Sequence, residues 1–372
     1  MADTLYFSRD SKVYIKIGAH VWEMPVLDGF SFSQATNTSE ITLNEMSDLN
    51  GNSRRARQMF TDSFAPAEWS FSTYARPFKS VGTDVAGNAS KEGVLRNHAV
   101  EEVMWALMVG DAAYTVPSSS VAADFTGFDA DATDLDIDFG SSNKTTLGTA
   151  DIYFVLGGAG AGTKTTYKIA NCCVNEAALD FDIDGIATIA WSGMGTVITE
   201  DTAPTATITE GVAGTTNFIR NRLTSLDVDT ALGGSHPSTY NLVLTGGSVN
   251  ISNNLTFLTP ETLGVVNQPL GHVTGTRTVG GSFTCYLNAE EDSSAELFEN
   301  IIEDTSTITN VFDLTFAIGG ASAPRIELNM PRCHLEVPSH SIDDVISLET
   351  TFHALPSTVE ETNELTIKYV GA

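Results

Sequence analysis

An internal repeat constrains this sequence more than any other feature. The segment FVLGGAGAGTKTTYKIANCCV (154–174) aligns with FAIGGASAPRIELNMPRCHL (316–335), and further downstream Trp191 stands opposite Phe352. Other pairs of segments match in the same order: 29–37 with 248–256, 69–74 with 281–286, 101–111 with 295–305, and 180–196 with 341–358. A co-linear series of this kind predicts two similar domains in one chain.

The repeat sets the domain boundaries. It predicts a first domain at 1–200, a second at 217–372, and a Thr-, Ala- and Gly-rich linker at 201–216. The first domain is longer because of an acidic insertion at 112–148. Each copy holds β-prone runs, a long polar loop, one stretch with helical apolar spacing (100–109 in the first) and a closing hairpin. We therefore predict a mainly β fold, a sandwich or barrel with one flanking helix per domain.

The glycine-rich stretch GGAGAGTKTT looks like a nucleotide-binding loop but does not fit one. Thr163 stands where a P-loop requires its second glycine, and a β-prone run follows Lys164 in place of a helix. The matching stretch of the second copy has no lysine and contains Pro324. A hairpin turn with Lys164 in solvent is the prediction.

Charge excludes some classes of function. The chain has 19 basic and 47 acidic residues, a formal net charge of −28, and the acidity is spread over both halves. A protein that grips nucleic acid through its phosphates has the opposite sign. The acidity either keeps the protein in solution or repels a polyanion. We expect no secretory leader, no membrane span and reduced cysteines.

No pattern of catalytic or metal-binding residues stands out. The seven histidines are scattered, and no H-E-x-x-H or G-x-S-x-G pattern occurs. The acid pairs Asp182–Asp184 and Asp343–Asp344 recur before the last strand of each copy, where they favour a turn over a catalytic carboxylate pair. We predict no enzyme activity, no catalytic residue, no metal and no cofactor.

The closing runs of the two copies resemble a known family. NCCVNEAALDFDIDGIATIAWSG (171–193) and CHLEVPSHSIDDVISLETTFHAL (333–355) resemble the closing strands of bacteriophage tail tube (major tail) proteins. The whole chain, apart from the linker and the insertion, is similar to tube proteins with two tandem tube domains. The resemblance implies a structural virion protein, made in the cytoplasm of the host bacterium and located in the tail.

The resemblance also implies an assembly. Single-domain tube proteins form hexameric rings, so a duplicated chain implies a trimeric, pseudo-hexameric ring; three against six chains stays open. Stacked rings would form a negatively lined conduit through which DNA passes without specific binding during ejection. The implied partners are other copies of the chain and tape-measure, tail terminator and baseplate or tip proteins.

Two groups of residues are candidates for roles in that assembly. Arg54, Arg55, Arg57 and Arg277 are predicted to contact the acidic surface of the next ring. Clustered acids mark the insertion, and they suit a lumen-facing or solvent-facing strand, with calcium binding as the alternative: Asp129, Asp131, Asp134, Asp136 and Asp138. The alternative function is a virion decoration protein or adhesin that binds carbohydrate or protein. Tryptophans within patterned segments favour core positions over such a binding surface.

Overall fold

A computed structural model gives the fold. It describes residues 6–27, 29–41, 50, 58–80, 95–110, 113–115, 124–125, 127–139, 147–157, 164–208, 216–230, 237–303 and 312–372. Within these ranges the chain is mainly β, with two α-helices, as the sequence predicted. None of the described helices has the length and apolarity needed to cross a bilayer.

The first half contains the helix α1 (Glu102–Val109). Its strands are β1 (Lys12–Ile17), β2 (His20–Met24), β3 (Ser31–Ile41), β4 (Gln58–Tyr74), β5 (Pro77–Lys79), β6 (Asn97–Ala99), β7 (Tyr114–Thr115), β8 (Asp124–Phe125), β9 (Phe128–Ala130), β10 (Leu135–Asp138), β11 (Ala150–Gly157), β12 (Lys164–Asp182), β13 (Thr188–Gly195) and β14 (Ile198–Glu200).

The second half contains the helix α2 (Ser294–Glu303). Its strands are β15 (Ser225–Thr230), β16 (Thr239–Asn241), β17 (Leu244–Ser252), β18 (Thr256–Leu258), β19 (Gly271–Val273), β20 (Thr278–Tyr286), β21 (Phe312–Ile318), β22 (Arg325–Leu335), β23 (Ser339–Ile342), β24 (Ile346–Ala354) and β25 (Thr366–Val370). Both helices lie where the apolar spacing predicted them.

The two halves repeat one strand order. A first-half sheet runs β2-β1-β11-β12-β14, and a second-half sheet runs β16-β15-β21-β22-β25. In each half the long strand, β12 or β22, leaves this sheet and pairs further along with β13 or β24. All of these pairs are antiparallel, and neighbouring strands in the sheet are mostly close in sequence.

The glycine-rich stretch lies in a hairpin. Strands β11 and β12 pair with Gly157 opposite Lys164, and Lys164 is exposed. Residues 158–163, between these strands, fall outside the described residues. Strands β21 and β22 form the matching hairpin, with Ile318 opposite Ile326. The hairpin prediction is therefore confirmed.

A buried cysteine marks the same point of both hairpins. The pairing is irregular beside Ala150, which lies opposite Cys172, and beside Phe312, which lies opposite Cys333. Each thiol donates to the carbonyl three residues earlier, at 3.3 Å to Ile169 for Cys172 and at 3.6 Å for Cys333. The long strands bend here, because a bulge increases local twist.

A third sheet joins the halves, and we call it the spanning sheet. Its order is β3-β4-β13-β12-β17-β20-β24-β23. Only the 176–182 part of β12 pairs with β17, over seven residue pairs from Glu176–Ser252 to Asp182–Gly246. This contact between halves is named the internal seam. It turns two four-strand sheets into one.

One hydrophobic core runs through both halves. Helix α1 is buried along its whole length, and its Trp105 contacts Trp191 with ring centroids 4.7 Å apart. The Trp105 indole N–H donates to Tyr369 Oη at 2.7 Å, so the first-half helix is tied to the last strand of the second half. All four tryptophans are 2% exposed or less, which confirms the core positions predicted for them.

The acidic insertion joins the opposite half. Strand β10 pairs with β25, with Leu135 opposite Tyr369, and β9 pairs with β10. The second-half sheet is thereby extended by two strands that come from residues 112–148 of the first half. The sequence predicted an insertion here but gave no sign of its pairing partner.

Strand register corrects one detail of the repeat alignment. Phe352 lies opposite Gly281, whereas Trp191 lies opposite Phe71. The residue of the first half in the register position of Phe352 is Gly193, opposite Trp69. The alignment of Trp191 with Phe352 is therefore wrong by two residues.

Candidate functional site on the spanning sheet

One face of the spanning sheet packs on the core, and the other, which we call the open face, does not. Side chains alternate along each strand, so every second residue belongs to the open face. Small hydroxyls form a row across it, with Ser31 opposite Ser70, Ser70 opposite Ser192, and Glu176 between Ser192 and Ser252. The face has a depression of about 380 Å³ beside Ser31 and Ser192.

The open face carries negative charge only. Its exposed acids are Glu68, Glu176, Asp180, Asp182 and Glu349. The strand segments that form the spanning sheet, with β12 counted from Cys173 onward, contain no lysine or arginine. A phosphate backbone that approached this surface would meet carboxylates and neutral hydroxyls, and it would find no cation to hold it.

Basic side chains lie on the other two sheets. In the first-half sheet Lys12 pairs with Glu23 at 2.8 Å and Lys168 with Asp151 at 3.0 Å. These hydrogen-bonded carboxylates raise the pKa of both lysines. In the second-half sheet Lys368 contacts Asp134. Acids and bases are thus mixed on the other two sheets, whereas the open face has acids without lysine or arginine.

The acidic run of the insertion lies on the second-half sheet. Asp129 and Asp138 are exposed, and the buried residues between them alternate with the acids, as the LDIDF pattern predicted. Lys368 reaches Asp134 at 3.2 Å and Asp136 at 3.4 Å. Burial raises the pKa of Asp136, and Lys368 opposes that rise. These acids face solvent in the isolated chain and stand apart from the open face.

Asp131 has a local role in the same run. Hydrogen bonds from the backbone N–H groups of Asp134, at 2.9 Å, and Thr133 lower the pKa of its carboxyl. Asp131 therefore shapes the β9–β10 turn. In the described part of the chain, no three His, Cys, Asp or Glu side chains are grouped as metal ligands.

Arg277 is buried between the two halves. It is 7% exposed, its Nε donates to Asn253 Oδ1 at 3.3 Å, and its Nη1 donates to the Phe139 carbonyl at 3.1 Å. Burial lowers the pKa of Arg277, and Glu364 opposes that shift. Its contacts are therefore within its own chain. The inter-ring contact predicted for it stays a prediction, and Arg54, Arg55 and Arg57 lie outside the described residues.

The connection between β18 and β19 lies at one end of the spanning sheet. The loop between β18 and β19 runs along the β3–β4 hairpin, where the Asn267 carbonyl accepts from Phe64 N–H at 2.9 Å. Leu263 is fully exposed there, and Leu270 is 76% exposed.

Short acidic connections lie at the opposite end. Asp182 is the last residue of β12, Asp184 lies in the β12–β13 connection, and Asp343 and Asp344 lie in the β23–β24 connection. Asp182 Oδ1 accepts from the Ile183 N–H at 2.7 Å, which is a turn interaction. The four acids thus lie at the turn before β13 or β24, which is the position that the sequence predicted.

The two outermost strands of the spanning sheet leave hydrogen-bonding edges open. Among the described strands, β3 pairs with β4 alone and β23 pairs with β24 alone. Their counterparts β17 and β12 have partners on both sides, because they pair with each other in the internal seam. Open strand edges of this kind are sites of association with another chain.

Comparison with known proteins identifies the class. A family model described as phage tail tube protein matches residues 28–354. The chain belongs to this family of structural virion proteins: it is a component of the phage tail that assembles with itself into a tube, and it is not an enzyme. It is also 29% identical to tail tube protein pb6 of Escherichia phage T5, over 380 residues that cover 97% of this chain and 75% of that protein.

The sequence alone did not identify the acids of the open face. Glu176, Asp180 and Asp182 occur in the run NEAALDFD, where acids alternate with buried Ala177, Leu179 and Phe181. That period of two indicates one wet face. The sequence pattern does not show which strands lie beside β12. The pairing of β12 with β13 and β17 is what places these acids on the open face of the spanning sheet.

Proposed function

We propose that the tube ring closes by strand pairing between neighbouring chains. The β23 edge of one chain adds to the β3 edge of the next, and this contact copies the internal seam between β12 and β17. The internal seam carries the proposal: the chain already contains one such joint, and it has one open copy of each of the two strands that form it. Repetition of a head-to-tail joint generates a ring when the rotation closes.

The internal seam also supplies the register. Asp180 lies opposite Ser248 within the chain. Ser341, which pairs with Ser347 of β24, corresponds to Asp180. Ser31, which pairs with Ser70 of β4, corresponds to Ser248. We therefore infer that Ser341 of one chain lies opposite Ser31 of the next, with His340 opposite Phe32.

The duplication supports a ring of three chains. The halves share strand order, the position of the irregular pairing and the buried cysteine. We infer that each chain contributes two tube domains and eight strands of the spanning sheet. Three chains then supply the six domains of the rings that single-domain tube proteins form, and the ring is pseudo-hexameric.

The open face forms the lining of the conduit in this assembly. Its opposite face is covered by the core, so the acidic surface remains for the lumen. DNA would pass along carboxylates and small hydroxyls during ejection without a cation to retain it. Before DNA enters, the same lumen would hold a tape-measure protein.

Stacking would use the two ends of the spanning sheet. The loops at one end would face the acidic connections of the next ring, and Arg54, Arg55 and Arg57 would contact carboxylates such as Asp184 and Asp343. At the ends of the tube, terminator and baseplate or tip proteins would take the place of a ring.

Paired cysteines test the ring contact. In the variant Ser31→Cys/Ser341→Cys, the two new thiols come from different chains and lie across the proposed contact. Oxidation, or a short bis-maleimide, should link assembled chains into covalent multimers, and electron microscopy should show rings of three chains. The matched control Ser31→Cys/Ser282→Cys places its second thiol on the inner strand β20 and should stay monomeric. Tubes in which Ser31→Cys/Ser341→Cys never links would exclude this strand pairing.

A further inference from the structure

The internal seam is built around one aromatic ring and one glycine. Phe181 of β12 lies opposite Gly247 of β17. A Cβ at Gly247 would stand 2.8 Å from Cε2 and Cζ of Phe181, so the ring needs a glycine at this point. Phe181 is 5% exposed, and its ring centroid lies 5.3 Å from that of Phe316 in the second-half sheet. The ring of Phe181, from the first half, thus packs on the ring of Phe316, from the second half, at the internal seam.

The open edges hold different residues at these two positions. Gly247 lies opposite Phe283. Ser31, the first residue of β3, lies opposite Ser70, and this register continued by one residue places Phe30 opposite Phe71, in the position that corresponds to Gly247. Asp180 lies opposite Thr188, and Ser341 lies opposite Ser347 in the same register, so the residue corresponding to Phe181 is Ile342. The glycine is therefore replaced by an aromatic residue, and the aromatic residue by an aliphatic one.

Phe30 already occupies the place that a partner's ring would take. Its ring stacks on Phe154 with centroids 5.6 Å apart and an interplanar angle of 20°. Phe154 is the counterpart of Phe316 in the repeat, so Phe30 covers Phe154 from its own half as Phe181 covers Phe316 from the other half. Ile342, in contrast, is 79% exposed although its counterpart Phe181 is buried.

We propose that Ile342 of one chain packs on Phe30 of the next and that this pair is the apolar anchor of the contact between chains. The inference rests on the proposed pairing of β23 with β3. In the internal seam the aromatic residue lies on β12, whereas in the proposed contact between chains it precedes β3, on the opposite side of the contact. Ile342 becomes buried on assembly. Gly247 leaves room for the ring of Phe181, whereas Phe30 supplies a ring on which the smaller Ile342 packs.

The exchange also separates the two kinds of seam. If β12 of one chain paired with β3 of another, Phe181 and Phe30 would compete for the single site above Phe154. If β23 paired with β17, Ile342 would lie on Gly247 and leave the surface of Phe316 partly uncovered. Each strand therefore fits its proper partner, and exchange between the internal seam and the ring contact is disfavoured.

Three variants test the anchor, with the critical concentration for assembly as the readout. Ile342→Ser should raise that concentration by about tenfold or more, because a buried aliphatic side chain is lost from the contact. Phe30→Gly should also raise it. Phe30→Gly/Ile342→Phe, which transplants the internal pair into the ring contact, should recover most of the loss. Val359→Ser removes a fully exposed apolar side chain outside the proposed contact and serves as the control without effect.

The double variant separates assembly from folding. Ile342 is exposed in the isolated chain, so Ile342→Phe cannot restore monomer stability that Phe30→Gly removes. We expect the melting temperatures of Phe30→Gly and of the double variant to match while assembly recovers. A double variant that assembles no better than Phe30→Gly, or an Ile342→Ser protein that assembles normally, overturns the anchor. If Ser31→Cys/Ser341→Cys still cross-links in that event, the strand pairing stands and the anchor alone is wrong; if it does not, both are wrong.

Discussion

Trp69 lies directly opposite Gly193 on the neighbouring strand of the spanning sheet. A Cβ at Gly193 would overlap the Trp69 ring and the Cys173 carbonyl. In the second half the same position is filled from the other strand, because Phe352 lies opposite Gly281, where a Cβ would stand 3.0 Å from Phe352 Cζ. Each half thus packs one large ring over one glycine, and the strand that supplies the ring differs.

Gly193→Ala should therefore destabilise the fold. The new methyl group has no space between Trp69 and a backbone carbonyl, and overpacking of this kind costs about 1–3 kcal/mol. Thermal or urea unfolding of the monomer measures the loss. Gly271→Ala is the matched control, because a Cβ there would meet nothing within 4 Å, and its unfolding should be unchanged. Equal effects of the two substitutions would contradict the packing argument.

Glu101 should make the stability of the monomer depend on pH. Its carboxylate is fully buried and accepts from Arg76 N–H at 3.1 Å and 3.3 Å. Burial raises its pKa to about 7, against hydrogen bonds from Tyr369 and Arg76. Because the native state favours the neutral acid, its stabilising effect is complete below the unfolded pKa of 4.5 and is lost as pH rises through about 7.

Glu101→Gln tests this linkage, because the amide stays neutral at every pH. The variant should gain at most about 3 kcal/mol over the wild type at pH 8 and nothing at pH 4. Melting curves at the two pH values give the difference. Glu200→Gln, on the exposed strand β14, should change neither curve. A gain from Glu101→Gln that is the same at both pH values would show that titration of Glu101 is not its cause.

Local pattern in the sequence was enough to predict the helices and the hairpins. It was not enough for the pairings between distant segments, such as β12 with β17 and β10 with β25, because every open strand edge offers the same hydrogen bonds. The misalignment of Trp191 with Phe352 has a related cause. Side chains alternate with a period of two, so a shift of two residues keeps the buried face buried.

In the candidate site, too, local features could be predicted from the sequence and contacts between distant segments could not. The wet-face alternation of Asp129, Asp136 and Asp138 is visible in LDIDF and its neighbourhood, and the structure has it. That Arg277 enters the interior could not be predicted, since its partners Phe139 and Asn253 come from different halves.

The four native cysteines should be unreactive in the folded chain. All are buried as free thiols, and burial raises the pKa of Cys173 to about 12 and that of Cys285 to about 11. Since the thiolate is the reactive form, a thiol reagent at pH 8 should label native protein very slowly and denatured protein at four sites. Rapid labelling of the native chain would contradict this burial, and it would also remove the selectivity of the Ser31→Cys/Ser341→Cys cross-link.

Arg277→Ala should weaken the junction between the halves. The change removes the hydrogen bonds to Phe139 and Asn253 and takes a cation from the surroundings of the buried Glu364. Loss of such buried, charge-assisted contacts costs about 2–4 kcal/mol, which unfolding of the monomer would measure. Arg222→Ala breaks an exposed ion pair to Asp184 at 3.5 Å and should cost about 0.5 kcal/mol or less. A junction that tolerates Arg277→Ala equally well would mean that packing alone holds it.

Charge reversal on the open face should make that surface retain DNA. Glu176 and Glu349 are exposed, so Glu176→Lys/Glu349→Lys should leave folding and assembly intact. In the proposed ring, lysines on the open face would surround the DNA, and the low-dielectric walls of the lumen would focus their field. Retention of DNA should therefore be strong at low salt and fall steeply as the salt concentration rises. Fluorescent DNA that enters open-ended tubes gives the measurement. Glu200→Lys/Glu327→Lys makes the same charge change on the first-half and second-half sheets, which lie outside the lumen in the proposed ring. Retention that is equal in the two variants would show that the open face does not line the conduit, because only a lining surface gains from the focused field.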